Sequence, residues 1–383
     1  MVLNGGDEMV TLGIDEVTFI VLPGERIKER IREVDWSTIA EHIIRLIENA
    51  ICLIQIMGEA YQADTSNVQG YSVGYEYGRH PFYFRVCYHE AVHSMGVVIR
   101  FSASALRFYL INSLEPIHSV PDMLRQLREA LPDYKVLFSR IDFAVDYINE
   151  GISVNDIQEQ ITTGNVGIFY ENGRKNGSSI RYINQNGITD TIYIGTREKN
   201  TKTMLRIYNK KKEQLQTHGT QYELAAKSTD WVRVENEIHG DYAHSLSDEL
   251  YKFTSEEELL SFIALCINNK YSFRYTETED EQVHYHAITK SLRDAIKRPS
   301  SYYYTISGYK DLSLKQNLDY LINKSGLMAF LYKIEEIEEG SIDRFFTLLK
   351  NRLEYYNPNT DTIKWMRTHY NDYIDSGITD LFK

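Results

Sequence analysis

The chain has 383 residues, 43% hydrophobic and 25% charged, with a formal net charge of −12. That length supports two or three domains with a sizeable core, and the acidic balance argues against binding nucleic acid over the whole surface. No run of about 18 apolar residues occurs, so a membrane span is not expected, and the scattered Cys52, Cys87 and Cys266 give neither a disulfide framework nor a zinc site. The acidic N-terminal stretch lacks an apolar signal segment, which makes the cytoplasm the expected compartment.

Residues 14–22 read as a strand, and residues 37–56 have helical spacing with Ser37 as N-cap. Aromatic and β-branched runs broken by Gly and Pro predict mainly strands over 71–110, and a helix follows at 120–130, ended by Pro132. These pieces make an N-terminal α+β domain, 1–131. A second domain core, 132–245, starts with a strand at 137–147 and a helix at 154–162. Strands at 167–170, 179–183, 190–195 and 203–209, a helix at 210–217 and a strand at 231–239 complete it. Residues 246–383 read as mainly helical, with paired helices at 314–339 and 342–356. The fold class is α+β, and no internal repeat is legible.

Within 197–212 the bases Arg197, Lys199, Lys202, Arg206, Lys210, Lys211 and Lys212 face one acid, Glu198. The acid excess lies elsewhere, at 255–258, 277–281 and 335–339. Segregated charge suits a protein that touches DNA on one face; a solvated basic hairpin is the plainer reading. Tyr208 stands inside this cluster. Basic neighbours attract phosphate and favour a phenolate, whereas an unassisted phenol, with a pKa of about 10, is a poor nucleophile. Strand alternation puts Arg206, Tyr208 and Lys210 on one face, with Arg206 or Lys210 placed to offset charge on a phosphate. Lys211 and Lys212 are candidates for contact with the DNA backbone.

Two acidic strands accompany the tyrosine. In 140–146, Asp142 and Asp146 share a face; in 232–238, Glu235 and Glu237 do. Carboxylates on an otherwise apolar strand are costly unless paired or metal-bound. Oxygen ligands suit Mg²⁺ or Mn²⁺, and ion pairs with Arg140 or Arg233 are the alternative.

Other motifs compete. His89-Glu90-Ala91-Val92-His93 satisfies the zincin pattern, which needs both histidines on one helical face, yet its β-rich flanks place it at a hairpin turn, and a zinc metallopeptidase is the outlying alternative. His284-Tyr285-His286 imitates a His-hydrophobic-His signature without a buried strand around it. The tyrosines Tyr302, Tyr303 and Tyr304 could stack on bases or pack in a core.

At these residues the chain resembles the Rep_trans family of rolling-circle plasmid replication initiators, whose domain is shared with relaxases of integrative conjugative elements. Four blocks carry the resemblance in order: 139–146, 191–197, 205–211 and 231–238. It implies antiparallel sheets in a nicking domain analogous to the HUH endonucleases. It also implies that Tyr208 attacks a DNA phosphodiester at an origin, leaving a 5′-phosphotyrosine and a 3′-OH primer. Implied with it is a metal site at Asp142, Glu235 and Glu237, with Asp146, taking Mg²⁺ or Mn²⁺; Arg197, Lys199, Lys211 and Lys212 of the basic stretch are the candidate DNA contacts. Origin DNA, double-stranded with a single-stranded nick region, a host replicative helicase and a second copy of the chain are the implied partners, with DNA recognition in the C-terminal helical region. A conjugative relaxase or phage initiator would use the same chemistry, and a non-catalytic DNA-binding protein could share the fold. Asn236 stands where the family pattern has an apolar residue, which predicts a less buried strand.

Overall fold

The computed structural model describes residues 8–31, 34–63, 68, 70–78, 82, 84–185, 187–196, 202–277, 282–297, 314–323, 326–356, 358, 362, 365, 366, 370, 373 and 378. Arg197, Lys199 and the cluster Tyr302 to Tyr304 lie outside the described residues. The chain forms two compact units, Leu3–Gly308 and Tyr309–Lys383.

The first unit opens with β1 (Met9–Pro23), α1 (Glu25–Arg30) and α2 (Trp36–Ala50). Asp35 caps α2, its Oδ2 accepting from Thr38 N at 3.3 Å, so the helix begins ahead of the expected Ser37 cap. Ile39, Ile43, Ile44 and Ile47 recur at helical spacing and are buried. Cys52, in the left-handed region at φ 51°, breaks the single helix expected over 37–56, and α3 (Leu53–Met57) restarts it. Strands β2 (Tyr61–Gln62), β3 (Val73–Tyr77), β4 (Phe84–Tyr88) and β5 (Val97–Phe101) follow. Ser102 then caps α4 (Ala103–Ile111), a helix where strand was expected, and Ser119 caps α5 (Val120–Ala130).

Next come β6 (Tyr134–Ile148), α6 (Val154–Thr162), β7 (Val166–Phe169), β8 (Ile180–Gln185), β9 (Ile188–Ile194) and β10 (Thr203–Asn209). They lead into α7 (Lys210–Thr217), α8 (Tyr222–Lys227), β11 (Trp231–His239), α9 (Gly240–Leu250) and α10 (Glu256–Lys270). A short strand, β12 (Ser272–Tyr275), interrupts the helical run expected over 246–383, before α11 (Ala287–Lys297). The second unit contains α12 (Leu314–Asn323), α13 (Leu327–Ile337) and α14 (Ser341–Glu354).

Among the described residues, ten strands form one antiparallel sheet in the order β2-β3-β4-β5-β1-β6-β11-β10-β9-β8. β7 and β12 pair separately. At the centre β1 and β6 run against each other from Met9 opposite Ile148 to Pro23 opposite Tyr134. Each central strand is followed by helix and then by a meander whose last strand returns to its outer edge, β5 beside β1 and β11 beside β6. The two halves of the sheet therefore repeat one order of connection, although their sequences show no repeat. Segments 1–131 and 132–245 each contribute one half.

Alternation divides the sheet's two faces. Val17, Phe19, Ile141, Phe143, Val145, Leu205, Ile207, Val232 and Val234 belong to one continuous apolar core. The charged residues of the central strands, Arg140, Asp142, Asp146, Arg206, Arg233, Glu235 and Glu237, occupy intervening positions. Asn236 breaks this pattern: it pairs with Leu205 and Phe143 on the apolar side, is buried, and its Oδ1 has no hydrogen-bond partner. The less buried strand expected from Asn236 is thus not found; β11 is buried along almost its whole length. An unsatisfied buried carbonyl costs roughly 1–3 kcal/mol. Asn236→Leu, of similar volume, is therefore expected to raise stability by about 1 kcal/mol, measured by thermal or urea unfolding; a lower midpoint would contradict this account.

Candidate active site

Tyr208 and Arg206 stand on the charged face of β10, opposite Arg233 and Glu235 of β11. Arg206 Nη2 donates to both oxygens of Glu235, at 2.8 and 2.7 Å. Its guanidinium carbon lies 4.4 Å from the centroid of the Tyr208 ring, within range of a cation–π contact. The Tyr208 hydroxyl donates to Glu235 Oε2 over a long 3.4 Å. Asn209 ends the strand and caps α7, its Oδ1 accepting from Lys212 N at 2.8 Å, which fixes the helix directly after the tyrosine. Tyr208 and Arg206 line a cleft of about 250 Å³, together with Asp190, Thr191, Lys212 and Glu213.

Tyr208 is only 8% exposed. Burial pushes its phenol well above the ordinary range. Arg233 and Arg206 pull it down, but the Glu235 and Asp15 carboxylates push it up again. The basic neighbourhood therefore does not yield a phenolate at rest, as a count of charges in the sequence suggested. Desolvation outweighs those charges, and a proton acceptor is needed.

Beneath the tyrosine lies a buried charged network. Arg233 is 0% exposed. Its Nε and Nη2 donate to the two oxygens of Asp146 at 2.7 Å, and its Nη1 donates to Asp15 Oδ1 at 2.6 Å. Trp231 Nε1 adds a third hydrogen bond to Asp146, at 2.7 Å. Both oxygens of Asp146, a residue expected among the metal ligands, are thus engaged by protein donors. Burial would raise the Asp15 carboxyl, but Arg233, helped by Lys210, Arg107 and Arg206, holds it down at about 2. Arg107 comes from α4 and is itself buried, its Nη1 donating to Thr220 Oγ1 at 3.1 Å. Lys210 opens α7, is buried, and pairs with Glu213 at 2.8 Å; burial lowers its pKa.

Neither Asp15 nor Glu16 was singled out from the sequence. Adjacent residues of a regular strand point to opposite faces. Here the β1 register slips between Ile14 and Glu16. This bulge directs both acids to the charged face, Asp15 to Arg233 and Glu16 to Arg140, where Glu16 Oε1 lies 3.1 Å from Nη1. Two adjacent acids in an apolar strand were the available signal.

Asp142 and Glu237 also converge on Arg140. Its Nε and Nη2 donate to Asp142 at 2.9 and 2.5 Å, and Nη2 donates to Glu237 Oε2 at 3.1 Å. His239 Nε2 lies 2.6 Å from Glu237 Oε1. Among the described residues, no three His, Cys, Asp or Glu side chains are grouped so as to hold a metal ion.

The basic cluster is largely engaged within the fold. Lys212 bonds Asp190 and Gln185, Lys202 bonds Asp241, and Lys211 Nζ donates to the carbonyls of Ser228 and Thr229. The zincin-like motif forms a turn and a 3₁₀ segment at His93–Met95 rather than a helix. Its Gly96 has φ +65°, and a Cβ there would meet Val21 O at 2.3 Å, so the glycine serves chain reversal. His286 is buried with its pKa lowered by desolvation, and its Nδ1 accepts from Ile288 N at 3.3 Å.

No described helix is long and apolar enough to cross a membrane. No curated protein matches the chain. Among solved structures, the rolling circle replication initiator protein from Geobacillus stearothermophilus is similar at 15% identity and a TM-score of 0.50, over 76% of this chain and 99% of that one. At that identity the likeness is one of fold. The family described as Replication initiation factor, Rep_trans, matches residues 136–345, from β6 into the second unit. That span is more than half of the chain and holds Asp142, Tyr208, Arg233 and Glu235; the chain belongs to the Rep_trans family of replication initiation factors.

Proposed function

We propose that this protein nicks and rejoins DNA at a replication origin, with Tyr208 as nucleophile. The observation that carries this reading is the Tyr208 hydroxyl beside Glu235, under the Arg206 guanidinium, in the wall of an open cleft. The Tyr208 oxygen bonds to the phosphorus of a DNA phosphodiester as its proton passes to Glu235. The bond from phosphorus to the 3′-oxygen breaks, and that oxygen leaves as a hydroxyl with a proton from solvent. The 5′-phosphate remains on the tyrosine, and the free 3′-OH primes synthesis. Rejoining reverses the step. This is the tyrosine chemistry of the HUH nickases performed on a different constellation. Mass spectrometry of the protein joined to a suicide oligonucleotide tests the assignment; a label on any peptide lacking Tyr208 would refute it.

Arg206 is partly exposed toward the cleft and holds Glu235 in place, so it is suited to meet a phosphate oxygen as charge develops. Arg206→Gln is expected to slow single-turnover nicking of supercoiled origin DNA by about 10²-fold. Arg206→Lys is expected to restore only part, since an ammonium cannot fork and stack as a guanidinium does. Equal rates in all three proteins would remove Arg206 from the reaction. Lys210, held at Glu213 beside the ring, supplies positive charge behind the phosphate. Lys211 and Lys212, with Arg197 and Lys199, are the proposed DNA-backbone contacts, and the helical region beyond 245 the proposed reader of origin sequence. A second copy of the chain and a host helicase complete the proposed assembly.

Initiators of this family generally use a divalent metal. The donor chemistry of Glu16, Asp142, Glu235 and Glu237 would suit Mg²⁺ or Mn²⁺. Their arrangement does not: each is tied to a guanidinium, and no three of them converge.

A further inference from the structure

Cross-strand register carries the charged face outward from Tyr208 to the edge of the sheet. Glu235 of β11 stands opposite Arg206 of β10, Arg206 opposite Tyr193 of β9, and Tyr193 opposite Arg181 of β8. Residues paired in this way share a face, so these four side chains form one row next to Tyr208. Among the described residues β8 is the outermost strand, and it is exposed along nearly its whole length. Tyr193 is half-buried, and the Arg181 guanidinium carbon lies 4.9 Å from its ring centroid. Burial works against the charge of Arg206, but Glu235 and the Tyr208 and Tyr193 hydroxyls outweigh it and raise its pKa. One guanidinium therefore feels both phenols.

Arg181 differs from the other arginines of this face. Arg206, Arg233 and Arg140 are each tied to a carboxylate. Arg181 is exposed and, among the described residues, bonded to no carboxylate. Between Glu171 and Asp190 the chain carries three bases, Arg174, Lys175 and Arg181, and no acid, in a protein of net charge −12. A guanidinium lying on an exposed ring is held weakly and gains more from a charged hydrogen bond to phosphate. Once it turns to a phosphate, the ring offers a face to a base, and such stacking tolerates any base. An intact duplex keeps its base faces covered, so an unpaired strand is the ligand that satisfies both groups.

We propose that Tyr193 and Arg181 seat an unpaired DNA strand beside the cleft, one base stacking on the Tyr193 ring and a neighbouring phosphate pairing with Arg181. Arg206, between Tyr193 and Glu235 in the row, joins this seat to the candidate site. The use of the seat rests on the nicking reading; its binding does not, and is measured without cleavage.

The test is fluorescence anisotropy of the full-length protein with a labelled oligothymidylate of about 12 nucleotides, beside the same strand annealed to oligodeoxyadenylate. Tyr193→Ala is expected to weaken binding of the single strand about tenfold and to leave binding of the duplex unchanged. Tyr193→Phe, which keeps the ring, is expected to bind as wild type does. Arg181→Gln is expected to lower the slope of log affinity against log salt by about 0.7, the share of one phosphate on a single strand, and Arg181→Lys to keep it. A wild-type protein that binds no single strand overturns the proposal. So do an equal loss for single strand and duplex, no loss in Tyr193→Ala, or a salt slope unmoved in Arg181→Gln. Should Tyr193→Ala fail to fold by circular dichroism, Tyr193→Leu, which fills the strand position without a stacking ring, is read in its place. Adduct formation at Tyr208 enters none of these readouts, so this proposal and the nicking reading fail separately.

Discussion

Phenylalanine at position 208 is expected to leave a folded, DNA-binding protein that forms no covalent adduct. The lost hydroxyl makes a single long bond, 3.4 Å to Glu235, so unfolding stability should change by no more than about 1 kcal/mol. The ring keeps its place under Arg206. Nicking, in contrast, loses its proposed nucleophile, and the conversion of supercoiled to open-circular DNA should fall by at least about 10⁴-fold. Detergent-resistant protein on the DNA should vanish with it. Undiminished nicking by Tyr208→Phe would place the chemistry elsewhere in the molecule. Loss of adduct together with collapse of the melting transition would mean that the hydroxyl serves the fold.

The second large effect belongs to Arg233. Arg233→Met removes the only described guanidinium bonded to both Asp15 and Asp146 and leaves two buried carboxylates facing each other across the gap. Breaking a buried pair by deleting one partner costs about 3–5 kcal/mol, because the survivor keeps its desolvation penalty. A urea midpoint shifted by that amount is expected. Asp15→Asn in the same chain should recover part of the loss, since the network couples the two positions. A shift under about 1 kcal/mol would mean that water reaches the carboxylates.

The same network fixes an acid limit. The Asp15 carboxyl is held at about 2 in the folded chain, below its usual 3.8. The unfolded chain therefore binds this proton first, and the stabilisation is complete above about pH 4 and drains away as pH falls toward 2. Arg233→Met should flatten the acid limb of stability against pH, because Asp15 then no longer titrates low.

Much of the candidate site was legible because strand alternation is a strict rule. The placement of Asp142 and Asp146 on one face, of Glu235 and Glu237 on another strand, and of Arg206 beside Tyr208 follows from period two alone, and the registers agree. What was not legible depends on distance in sequence. Nothing local says that Glu16 and Asp142 will lie opposite each other; that pairing closes a long loop through an entire meander. Nor does a bulge between Ile14 and Glu16 leave a mark in composition. The basic stretch at 197–212 read as an excess of charge, yet Glu235, Asp190, Asp241 and Glu213 reach several of its members. The shift of Tyr208 toward the neutral phenol is a property of burial, which charge counting omits. Asn236 misled for a related reason: a polar residue usually marks exposure, and here a buried strand tolerates an orphaned oxygen.

Pairing of β1 with β6 along fifteen-residue strands has a consequence for how such enzymes can be divided. A piece excised to contain the tyrosine alone, beginning near Tyr134, would expose the raw backbone edge of β6 and invite adhesion to other chains. It would also orphan Arg233 on one side and Arg140 on another, since Asp15 and Glu16 depart with β1. Chemistry and scaffold are therefore not separable modules in this protein. Recombination between relatives would have to trade the two central strands as a matched set, and any graft that splits them would inherit mismatched charges at the heart of the sheet.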